Sequence, residues 1–146
     1  MPPGTQLIDL AHTIQLAVAP VFLLTALGTI LSVLSGRLGR IVDRARLLCD
    51  RLPGLDHSAA RALVDELTLL GRRRRLVNYA LTCATLAALM VCLLIGLAFL
   101  GFMLGVNFSL AMAGLFVAAM TAFIVALVFF LREVLLAAAS ISLGSR

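Results

Sequence analysis

The chain has 146 residues, of which 62% are hydrophobic and 13% charged, with a mean hydropathy of +1.12. A soluble domain of that composition would leave too much apolar surface in water, so the balance excludes the ordinary globular class and points to a small polytopic membrane protein. The net charge of +5 would favour nucleic acid in a soluble protein. Here ten of the twelve basic residues lie between Arg37 and Arg75, flanked by apolar runs, and cytoplasmic loops of membrane proteins collect arginine in this way.

The expected fold is all-α: three transmembrane helices, the first two extended into a cytoplasmic helical hairpin. Residues 5–13 read as an outer interfacial turn that Thr5 can cap, with Asp9 and His12 one turn apart on its wet face. A first crossing follows over residues 14–34, the roughly 20 apolar residues needed to span a hydrocarbon core about 30 Å thick. It contains Pro20, which neighbouring helices make tolerable in lipid. No basic segment precedes it, so it reads as an uncleaved anchor and not as a signal peptide. Thr25, Thr29 and Ser32 form a polar stripe along it. Their hydroxyls either bond back to the carbonyl one turn earlier or line a narrow polar path. Back-bonding is favoured, because the apolar spans lack the Asp, Glu, His or Lys that marks ion and proton routes.

Residues 35–75 form the arginine-rich hairpin. Leu38, Ile41, Ala45, Leu48 and Leu52 step by 3, 4, 3 and 4, and Ala60, Leu63, Leu67 and Leu70 return with 3, 4 and 3, an apolar seam of coiled-coil type on each arm. Leu52-Pro53-Gly54-Leu55-Asp56 makes the turn, and Asp56 or Ser58 caps the returning helix. Folding the arms together brings Arg44 and Arg46 near Asp65 and Glu66, in water-facing pairs worth about 0.2–1 kcal/mol each. Arg72, Arg73, Arg74 and Arg75 then ring the helix where it meets the bilayer and suit anionic lipid headgroups.

A second crossing covers residues 76–100, an uncharged outer loop 101–109, a third crossing 110–131 and a cytoplasmic tail 132–146. The arginine asymmetry places the N-terminus outside and the C-terminus inside an inner (plasma) membrane. Small residues recur at every fourth position of all three crossings: Gly28, Ser32 and Gly36 in the first, Ala80, Ala84, Ala88, Cys92 and Gly96 in the second, Gly114, Ala118, Ala122 and Ala126 in the third. Helices in lipid associate where small side chains let backbones approach, so each stripe is a candidate packing face, within the chain or toward another subunit. At the inner mouth of the bundle Arg37, Arg40 and Arg44 share a helical face with Asp43 beside them, and Glu133 at the end of the third crossing can meet them in a charge clasp.

No catalytic, cofactor-binding or metal-binding set emerges. Ser, Cys and His never fall in a nucleophile-and-base spacing, and neither a phosphate loop nor a metal-binding helix is present. Cys49, Cys83 and Cys92 form no CxxC and read as reduced, inert thiols. The run IQLAVAPVFLLTALGTILSVLSGRLGRIVDRAR from Ile14, with RRRRLVNYALTCATLAALMVCLL from Arg72 and FLREV from Phe130, resembles a bacterial family of small membrane proteins, the domain of unknown function twenty-seven twenty-one. The likeness extends from about Gln6 to Ile141 and is most recognisable in Ala19-Pro20, in IVDRAR and in Leu131-Arg132-Glu133. It implies a three-crossing inner-membrane protein, and no activity or functional residue comes with it. The expected role is a non-enzymatic membrane interaction protein that packs with itself or with a larger membrane complex, its other contact being the anionic lipid surface and not nucleic acid. The alternative is a small homo-oligomeric channel lined by Thr25, Thr29 and Ser32.

Overall fold

A computed structural model describes the backbone of residues 3–52 and 56–143 and the side chains of residues 18, 20–52 and 56–138. The side chains of Asp9 and His12 and the Pro53-Gly54 turn fall outside the described residues, and α1 is already helical at Pro3, ahead of the cap expected at Thr5. All regular structure among the described residues is helical: α1 spans Pro3–Arg51, α2 His57–Leu104 and α3 Ser109–Leu143. Each contains a stretch long and apolar enough to cross a membrane, within Pro20–Arg51, His57–Leu104 and Ser109–Ala138. At 49 and 48 residues, α1 and α2 are each more than twice the length that a ~30 Å hydrocarbon layer requires. The surplus of α2 is its arginine-rich part, and that of α1 is the arginine-rich part after Leu34 together with residues 3–13, so the hairpin is built by extending the two helices. α1 passes through Pro20 without ending.

Large apolar side chains face outward along all three helices, among them Phe22 at 72% exposure and Leu110 at 87%. Water would make such a surface unstable, whereas lipid solvates it. Length, composition and exposure together suit a multi-pass membrane protein.

The three helices contribute to two compact units, one from residues up to Ile30 with Cys83–Ile124, the other from Leu31–Thr82 with Val125 onward. In the first, Leu27, Ala84, Ala87, Val91, Leu94 and Ala119 are buried; in the second, Leu34, Ile41, Leu48, Leu70, Val77, Ala80, Ala126 and Glu133. These positions follow a seven-residue rule. On α1 they are 27, 34, 41 and 48; on α2 they are 70, 77, 84 and 91, with 80, 87 and 94 interleaved; on α3 they are 119, 126 and 133. A repeat of seven keeps one seam inward along a helix, as in coiled coils. The 3-4 seam of the hairpin thus carries on into the apolar part of the chain.

Helix ends are closed locally. Asp56 caps α2: its carboxylate accepts from the His57 amide at 2.9 Å and its carbonyl from the Ala60 amide at 2.9 Å. α2 runs on to Leu104, so the link to α3 is Gly105–Phe108, shorter than the expected loop over residues 101–109. Gly105 takes φ +63°, and the Val106 amide reaches back to the Gly101 carbonyl at 3.2 Å, the six-to-one bond that ends helices on a left-handed glycine. The Asn107 side chain accepts from the Ser109 amide and starts α3. Gly101 is tightly enclosed, since a Cβ there would stand 3.0 Å from the Val106 carbonyl oxygen and 3.2 Å from the Phe108 ring. Gly105→Ala should therefore lower stability by about 1 kcal/mol through the left-handed backbone it must keep. Detergent-titrated unfolding followed by far-UV ellipticity measures this, and an unchanged midpoint would contradict the account of the turn.

Candidate functional site: a buried arginine–glutamate–arginine clasp

Glu133 is the one buried charged side chain among the described residues, at 0% exposure. It takes the next seven-residue step after Ala119 and Ala126, where an apolar residue would ordinarily stand. Register explains its partners as well. Arg37 lies three positions after buried Leu34, and Arg73 three after buried Leu70, so both occupy the second inward position of their heptads. Arg37 Nη1 donates to Glu133 Oε2 at 2.7 Å. Arg73 donates to Oε1 through Nη2 at 2.9 Å and Nε at 3.3 Å. The carboxylate is held at both oxygens by guanidinium groups from two other helices, and no buried side-chain N or O among the described residues lacks a partner. Arg37 also lies over the Phe130 ring, 5.3 Å from its centroid, a cation–π contact covering one face of the guanidinium. Tyr79 and Phe129 pack nearby in the same unit at 5.6 Å between centroids.

The cluster carries one net positive charge. Its guanidinium side chains are partly exposed, Arg37 at 29% and Arg73 at 21%, while Glu133 is sealed. Taking an ion pair out of water consumes most of what its attraction returns, so such a cluster fixes register and partner choice more than it adds stability.

The clasp expected from Arg37, Arg40, Asp43, Arg44 and Glu133 has a different membership. Arg37 and Glu133 meet. Arg44 turns to the hairpin instead, donating to Glu66 Oε1 at 2.8 and 3.1 Å, with both side chains well exposed. Arg40 and Asp43 make no ion pair among the described residues, since they point away from the inward positions. Arg46 and Asp65 likewise stand apart. Arg73, expected among the headgroup ring of Arg72–Arg75, is instead the third member of the clasp. The signal that finds it is the three-residue spacing from Leu70; Arg44, three after buried Ile41, and Glu66, seven before Arg73, hold the same heptad position at a more exposed level of the seam.

The small-residue stripes are divided by the structure. Ala80, Ala84 and Ala126 are buried and Ala88 and Ala122 half-buried, whereas Gly28, Ser32, Gly36, Cys92, Gly96, Gly114 and Ala118 are exposed. A Cβ added at Gly28, Gly36, Gly96 or Gly114 would meet nothing within 4 Å, so within this chain none of those glycines serves a close helix approach. The hydroxyls of Thr25 and Thr29 donate to the carbonyls of Val21 and Thr25 at 3.2 Å, and Thr82 and Thr121 bond back in the same way. Among the described residues no three His, Cys, Asp or Glu side chains come together as a metal site, and the three cysteines are unpaired.

Residues 17–143 match the family described as protein of unknown function (DUF2721). The chain belongs to that family. The match takes in all the members of the clasp, most of α1, the whole of α2 and all of α3. No curated protein and no solved structure matches the DUF2721 chain.

Proposed function

We propose that this DUF2721 protein is a non-enzymatic subunit of a bacterial inner membrane, N-terminus outside and hairpin in the cytoplasm, that assembles with copies of itself or with a larger membrane complex. The observation that carries the reading is a set of open glycines on helices whose register is already fixed. The chain closes its own core with heptad residues and the clasp, and leaves Gly28, Gly36, Gly96 and Gly114 with room for another backbone. Lipid gives helices no hydrophobic reason to associate, so small residues facing outward favour close contact with a second protein helix. The chemistry in the core supports a structural role too: both oxygens of Glu133 are occupied by arginines, so the buried carboxylate is engaged in joining the helices. The channel reading finds less support, because Thr25 and Thr29 spend their protons on backbone carbonyls.

Chemical crosslinking in native membranes and native mass spectrometry in mild detergent test the proposal. Oligomers, or a co-purifying membrane partner, are expected. Gly28→Leu and Gly114→Leu should reduce assembly at least tenfold, equivalent to about 1.4 kcal/mol, with unchanged helicity. A wild-type protein that is monomeric and partnerless under both conditions would refute the reading. Ion flux through reconstituted liposomes would favour the channel in its place. Reporter fusions in the hairpin test the orientation, and a periplasmic signal would reverse it.

A further inference from the structure

The four consecutive arginines of α2 do not act as one ring. Arg73 is committed to Glu133, and Arg74 borders the grooves beside α1 residues Val42 and Leu38. Arg75 borders the second of these as well, and on its other flank it joins Arg72 and Arg132 of α3 around a groove of about 510 Å³ whose remaining lining is Leu76, Leu135 and Leu136. None of these three arginines has an acidic partner among the described residues. Glu133 and Glu66 are engaged with other arginines, and no Asp or Glu lines the groove. The groove is therefore cationic across its middle, with Leu76 beyond Arg75 toward the apolar span and Leu135 and Leu136 beyond Arg132 toward the C-terminus. It also lies at the polar boundary of both helices, where Arg75 gives way to Leu76 and Leu131 to Arg132.

We infer that this groove binds one anionic phospholipid, its phosphate among Arg72, Arg75 and Arg132 and an acyl chain running past Leu76 along the apolar span. Guanidinium forks match phosphate oxygens, and arginine stems lie readily along apolar surface. A soluble phosphate would occupy only the cationic middle, whereas a phospholipid also covers Leu76 and the apolar span that begins there. The clasp prepares the site. Arg72 is next to Arg73 and Arg132 next to Glu133, so the Arg73–Glu133 bonds hold the two helices at the level of the groove before any lipid arrives, which reduces the ordering needed for binding. The inference is independent of whether the protein self-associates.

The full-length protein in nanodiscs or mild detergent, offered phosphatidylglycerol and phosphatidylcholine of identical acyl chains, tests this by native mass spectrometry. The expected preference for phosphatidylglycerol is about tenfold, given up to ~1 kcal/mol for each arginine near an anionic headgroup. It should vanish in Arg72→Gln/Arg75→Gln/Arg132→Gln and survive in Arg40→Gln/Arg46→Gln/Arg61→Gln, which removes the same charge from elsewhere in the hairpin. Replacing the same three groove arginines by lysine keeps the charge and should keep most of the preference while verifying that the site tolerates substitution. Millimolar inorganic phosphate should fail to displace the lipid. Equal binding of both lipids, a preference lost equally in the two glutamine variants, or displacement by phosphate alone would each overturn the assignment.

Discussion

Arg37→Met/Arg73→Met should be the most damaging change in the molecule, costing about 3–5 kcal/mol, because it leaves a fully buried carboxylate with no counter-charge. Glu133→Met should cost less. The two arginines it strands are already partly exposed, and their long side chains can reach water or headgroups. Combining all three changes should restore stability to within about 1 kcal/mol of the parent, since apolar residues of similar volume replace the ionic cluster without stranding a charge. Detergent-titrated unfolding followed by ellipticity gives the three midpoints. The order is the test: a triple variant as unstable as the double would mean that the clasp acts by something other than charge compensation.

Ala84→Leu and Ala119→Leu should each cost about 1–3 kcal/mol by forcing helices apart at positions with no free volume. Ala118→Leu, one position from Ala119 but exposed, should leave unfolding unchanged to within about 0.5 kcal/mol. If Ala118 contributes to assembly, its effect will be on the oligomer and not on the unfolding midpoint of the monomer. Because lipid is as apolar as the core, the penalty for the buried pair comes from lost packing and strain, with little transfer term. Equal midpoints for Ala118→Leu and Ala119→Leu would show that the seven-residue rule is not what sets the core.

That rule also explains what could be read from the sequence and what could not. Three apolar helices, the extension of two of them into a hairpin, the Asp56 cap and the Arg37–Glu133 meeting all follow from composition and from which residues share a helical face. The small-residue stripes are only partly informative because a step of four residues advances about 40° beyond a full turn. A stripe so spaced winds around its helix. Ala80 and Ala84 are thus buried, Ala88 is half-buried, and Cys92 and Gly96 lie outside; on α3 the stripe runs the other way, from exposed Gly114 to buried Ala126. A step of seven falls only about 20° short and stays inward. Arg73 is hard to recognise for a related reason. Four identical neighbours offer no contrast in type, and only its distance from Leu70 separates it from Arg72, Arg74 and Arg75. The approach of Arg132 to Arg72 and Arg75 depends on where a helix far along the chain comes to lie, and no local pattern contains that.

Glu133 lies 96 residues after Arg37 and 60 after Arg73. During synthesis both cations therefore leave the ribosome long before the anion that matches them, and α1 and α2 must wait in the translocon or the bilayer with their charges uncompensated. Only arrival of the last helix supplies the carboxylate that the two share. A chain truncated ahead of α3 would keep both guanidinium groups without the carboxylate that ties α1 to α2 through them.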